Sequence, residues 1–192
     1  SKNDQDLMRL AEVLTAKAEL AKQSNRPDEA KQGFDEAEKT MRQAIALAPN
    51  KPLHRVKLVE LLHHVGDARK VDEVISEIRK VLPPDVAPLA LAQCYELLGR
   101  KIEAQQQYDI AYDKTPDGEG VPRSAANFYL EGSQAAKGET ILKDIVAGKR
   151  KVSEKDMAWA RQRLALLLLQ GGEHQGRLEA IKLVDANLKT TP

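Results

Sequence analysis

Val86 to Pro116 reads VAPLALAQCYELLGRKIEAQQQYDIAYDKTP, and the stretch describes two helices joined by a turn. Leu89, Leu91, Ala92, Tyr95 and Leu98 recur at the three- and four-residue steps that stack side chains along one side of a helix, and Gly99 ends the pattern. Ala104, Tyr108 and Ala111 resume it. Pro116 closes it, because proline lacks the N–H that a continuing helix needs.

The pattern recurs along the chain. A shift of 33 residues back places Leu58, Val59, Leu62, Gly66, Val71, Ile75, Ile78 and Pro83 on the same positions. A further step aligns Ala37, Met41, Ala44 and Pro49 with the second helix, while the helix near Leu7 to Lys22 fits only if extra residues surround the turn at Asn25-Arg26-Pro27. A shift of 34 residues forward aligns Ala125, Ala126, Tyr129, Ser133, Gly138, Leu142 and Ile145, with Ser133 standing where the turn glycine was. Gly132, Gly138 and Gly148 each weaken a helix by about 1 kcal/mol if internal, so this fourth unit is expected to be the most mobile. The last unit opens at Ser153 as a helix cap, with Asp156 in the first turn. Leu164, Ala165 and Leu168 follow, then Gly171-Gly172, then Ala180, Val184, Asn187 and Pro192.

Leu91, Ala92, Tyr95, Gly99, Ala104, Tyr108, Ala111 and Pro116 carry a resemblance to the tetratricopeptide repeat, a helix-turn-helix unit of about 34 residues. Small residues stand where the two helices of such a hairpin touch, large ones where neighbours interlock, and glycine or proline where the chain turns. The expected fold is all-α, a single domain over residues 1–192 with hairpins at about 5–49, 52–83, 85–116, 120–148 and 153–190. The resemblance implies a right-handed superhelical array whose first helices line a concave groove.

Composition narrows the functional classes. Thirty basic and 29 acidic side chains give a formal charge of +1, and each half lies within two charges of neutral, so the excess expected of a nucleic-acid binder is missing. The longest apolar run, Leu164 to Leu169, is about a third of what a bilayer span requires. The start, SKNDQDLMRLAEV, has no signal-peptide pattern, and beginning at Ser1 suggests a segment of a larger protein. The compartment is open, with the cytoplasm favoured if no targeting segment precedes Ser1. Cys94, the single cysteine, is expected to be a buried thiol.

No catalytic or metal constellation stands out, so no cofactor, metal or enzymatic role is expected. His63 and His64 are adjacent, which on a helix points them about 100° apart and keeps both rings from sharing one ion. Lys149-Arg150-Lys151 lacks interleaved aromatics and reads as a solvated loop. Gly171-Gly172 lacks the lysine of a phosphate loop and reads as a turn. Trp159 and the leucine run are expected to lie on a helix buried on nearly all sides, and Tyr95, Tyr108 and Tyr129 in the core with their hydroxyls partnered at its edge.

The resemblance assigns binding to what remains exposed on the first helices. Those residues are Val56, Glu60, His63 and His64; Leu89, Gln93, Glu96 and Leu97; Arg123, Asn127, Leu130 and Glu131; and Trp159, Leu166 and Gln170. Such a mixed surface suits an extended peptide or a partner helix. Relatives of this kind grip a chaperone's C-terminal carboxylate; Arg123 and Asn127 imitate part of that clamp, but Glu60 and Glu96 repel a carboxylate. The leading expectation is a non-catalytic protein-interaction scaffold, with a ligand-responsive regulatory module as the alternative. At the C-terminal edge Ala180, Ile181, Val184 and Leu188 are expected to pack inward and Leu178 and Leu183 to project outward. That edge would be met by further repeats beyond Pro192, leaving this chain a monomer, or by a second copy in a weak homodimer.

Overall fold

The computed structural model describes residues 3–190. Among them lie ten α-helices in consecutive pairs: α1 (Asp4–Gln23) and α2 (Pro27–Leu47), α3 (Pro52–Val65) and α4 (Ala68–Val81), α5 (Ala87–Leu97) and α6 (Lys101–Lys114), α7 (Val121–Glu131) and α8 (Ala135–Val146), α9 (Glu154–Gln170) and α10 (His174–Thr190). The described residues contain no strand. The chain divides into two compact units, residues 1–107 and 108–192, and the division falls inside α6.

In the first unit the same turn chemistry closes α3 and α5. Gly66 has φ 86° and Gly99 φ 69°, the left-handed region that glycine enters without cost. The N–H of Asp67 then bonds the carbonyl of Leu62, and that of Arg100 the carbonyl of Tyr95, which satisfies carbonyls left open at the helix ends. Asp67 goes on to cap α4, its Oδ1 accepting the Lys70 N–H at 3.0 Å. Proline begins or nearly begins α2, α3 and α5, where its missing N–H has no helical partner to lose. Helix α4 shows the division of faces most plainly: Val71, Val74, Ile75 and Ile78 are buried while Asp72, Glu73, Arg79 and Lys80 face water.

Helices α1 and α2 are 20 and 21 residues long against 14 each for α3 and α4, so the extra length expected around the first turn is taken up as helix. They cross where Gly33 meets Ala18, and a Cβ on Gly33 would lie 2.8 Å from the alanine methyl. Helix α3 packs against α2 and α5, and Leu58 and Val59 of α3 and Ala92 and Cys94 of α5 are without solvent contact. Ala104 on α6 is also fully buried.

The second unit shows what the fourth-hairpin glycines do. Gly132 caps the end of α7 and Gly148 lies beyond α8, so only Gly138 is inside a helix. It sits where α8 crosses α7: an added Cβ would lie 2.7 Å from Leu130 Cγ, 2.8 Å from the Leu130 nitrogen and 2.9 Å from the Ala126 oxygen. The glycine permits the crossing, and Ile141, Leu142 and Ile145 bury behind it. Ser153 caps α9 as expected, its Oγ accepting the Asp156 N–H at 3.1 Å.

Two expectations for the last pair are overturned. Helix α9 is not enclosed: Ala160, Leu164 and Ala165 are buried, whereas Leu166 and Leu169 are exposed and Trp159 is half-buried. Helix α10 turns a different face inward, with Ala180 and Leu183 buried and Leu178, Ile181, Val184 and Leu188 in solvent. The cause is close packing against α9. Gly176 approaches the Leu168 carbonyl, and Asn187 donates to the Ala158 carbonyl at 2.8 Å, which fixes the small-residue face of α10 against its neighbour.

Candidate functional site

Of the residues read as binding candidates, Glu60 and His64 meet in a formed hollow in the first unit. Asp4, at the start of α1, is bonded to Lys51 Nζ at 2.5 Å and lies 2.9 Å from His54 Nε2 at the start of α3. Glu19, near the end of α1, pairs with His64 at the end of α3. The two helices therefore run in the same direction and are tied at both ends. Between the ties lies a hollow of about 350 Å³, walled by Glu12, Thr15, Ala16 and Glu19 of α1 and by Lys57, Glu60, Leu61 and His64 of α3. Met41 of α2 forms part of the floor. Each wall is a run of residues at i, i+3, i+4 and i+7, the spacing of one helix face.

The surrounding charges are ordered. Lys51 and His54 hold the Asp4 carboxyl below its ordinary range. His54 itself is buried, and its Nδ1 has no hydrogen-bond partner among the described residues. Arg55 is buried beside it with Nη1 donating to the Pro49 carbonyl, and burial pulls its guanidinium below its usual value. A second hollow, of about 490 Å³, shares Leu61 with the first and has Phe34 and Leu62 among its lining, with Glu38 and Lys70 paired at 2.7 Å. Burial pushes the Glu38 carboxyl upward, but its bonds to Lys70 and Arg42 outweigh that and hold it below the usual carboxylate range.

The remaining candidates are distributed differently. His63 is exposed and is not among the residues that wall the hollow, and Val56 is buried in the core. On α5, Leu89 and Gln93 are half-buried while Glu96 and Leu97 are exposed. On α7, Arg123 is bonded to Asp156 at 3.0 Å and lies 5.0 Å over the Trp159 ring, so its charge is already engaged. Asn127 is half-buried, Glu131 is exposed, and Leu130 packs over Gly138. Leu166 and Gln170 on α9 are exposed. Arg123 also borders a hollow of about 420 Å³ at the starts of α7 and α9, together with Asp117, Gly120, Lys151 and Ser153. The basic loop beside it is engaged too: Lys149 and Arg150 pair with Asp144, and Arg150 bonds the Tyr112 hydroxyl at 3.0 Å.

The described residues place no group of three or more His, Cys, Asp or Glu side chains together for a metal ion, and no helix among them is long and apolar enough to cross a membrane. Burial pushes the Cys94 thiol up to about 12, so it stays protonated and is a poor nucleophile at neutral pH. Tyr95 accepts a bond from Arg79, and Tyr129 donates to Asp109 at 2.5 Å while Lys137 also pairs with Asp109. Burial, then that bond to a carboxylate, raises the Tyr129 phenol well above its usual range.

Glu12, Thr15, Ala16 and Glu19 were not singled out by the sequence pattern. They share spacing but no residue type with Lys57, Glu60, Leu61 and His64, at an offset of 45 residues that exceeds the 33- and 34-residue steps because α1 and α2 are longer than later pairs.

These elements define an all-helical protein built from consecutive helix pairs. No family model matches the chain, and no curated protein matches it.

Proposed function

We propose that this chain is a non-catalytic interaction module of the tetratricopeptide type, whose first helices hold an extended peptide or a partner helix. That reading carries with it the right-handed superhelix and concave groove of the family. Its main support is the hollow between α1 and α3, where two equivalent helix faces leave a mostly apolar cleft with a charged margin.

The test is selection of peptides from a random twelve-residue library on the immobilised full chain, followed by titration against wild type and Ala16→Trp. Ala16 is exposed on the wall, so an indole there fills the cleft while the helix is kept. The selected peptides should bind wild type and lose at least about tenfold in affinity on Ala16→Trp. Undiminished binding to that variant would place the recognition surface elsewhere.

A further inference from the structure

Resting on that reading, we infer that the hollow between α1 and α3 selects a basic partner: a Lys or Arg side chain whose stem lies on the apolar floor and whose head reaches the carboxylates at the margin. At about 350 Å³ the space is at the lower end of small-ligand pockets, so it admits side chains and not a whole folded element. Met41, Ala16 and Leu61 supply apolar surface, and methionine adapts to an irregular stem.

The charges around that surface are unbalanced. Glu12, Glu19 and Glu60 face the hollow against one permanent cation, Lys57. Glu19 is turned to His64 across the cleft. Among the described residues Glu60 is paired only with Lys57, three residues away on its own helix, at 2.8 Å, and both side chains are well exposed. Such a pair is weak in water, so a partner's cation can replace Lys57 with little loss. The Glu12 carboxylate makes no ion pair or hydrogen bond among the described residues. An anionic segment meets repulsion here, and a basic amphipathic one meets both complementary charge and an apolar bed.

The composition of the selected peptides and a charge-reversed chain test this inference separately from the proposed function. Enriched peptides should share a Lys or Arg beside an apolar residue. By fluorescence anisotropy at low salt they should bind Glu12→Lys with Glu60→Lys at least about tenfold more weakly than wild type, the difference shrinking as salt is raised. Both substituted positions are exposed, and circular dichroism with thermal unfolding establishes that the double variant stays folded. Peptides that Ala16→Trp blocks but that lack basic residues, or that bind the double variant as well as wild type, overturn the charge inference and leave the cleft as the binding site. A library that yields no peptide blocked by Ala16→Trp overturns both.

Discussion

The pairs α7/α8 and α9/α10, neighbours within the second unit, treat their apolar side chains in opposite ways. The first is short, 11 and 12 residues, and carries a glycine inside a helix, yet Val121, Tyr129, Ile141, Leu142 and Ile145 are all at most 3% exposed. The second has 17 residues in each helix and strong helix formers, yet Leu166, Leu169, Leu178, Ile181, Val184 and Leu188 are 46–70% exposed. Propensity and periodicity say that a helix forms and that certain residues share a side. Which side turns inward depends on how closely the partner helix can approach, and small residues decide that.

The widest expected separation between the pairs comes from truncating equivalent aliphatics. Leu142→Ala should cost about 2–5 kcal/mol in chemical unfolding, because it opens a cavity in a closed core. Leu188→Ala, on the open face of α10, should stay within about 0.5 kcal/mol. Similar losses from the two would erase the contrast.

Gly138→Ala sharpens it. Alanine is the better helix former by about 1 kcal/mol, so a glycine that merely weakened α8 would make this substitution stabilising. The crossing with α7 gives the opposite sign, since two of the three nearest atoms are backbone and cannot swing aside. A net loss of about 1–3 kcal/mol is expected from thermal or denaturant unfolding.

The smallest effect is expected from Leu178→Glu combined with Ile181→Glu. Both side chains stand about half exposed, so stability should change by no more than about 0.5 kcal/mol. A loss several times larger, or a change in sedimentation, would mean that the open face is covered in solution.

The turns were the most legible part of the chain. Gly66 and Gly99 can take a left-handed conformation at no steric cost, so their meaning survives any tertiary context. Ser153 is equally local, since a cap depends on residues three apart. The face of α10 was illegible for a definite reason. Ile181, Val184 and Leu188 compete with Gly176, Ala180, Leu183 and Asn187, both sets at three- and four-residue steps, and the Asn187 bond to Ala158 that selects the second set is non-local. Of the candidate site, Glu60 and His64 were readable from the repeat spacing, but the opposite wall was hidden by the longer first pair.

Cys94 gives the molecule a built-in clock. It is the sole cysteine, it has no solvent contact, and its thiol holds its proton up to about pH 12. An alkylating reagent at mildly alkaline pH therefore meets no reactive sulfur until the region around α5 opens and the thiol regains an ordinary acidity. The half-time of labelling counts openings of that part of the core, with no engineered reporter and no second thiol to blur the count.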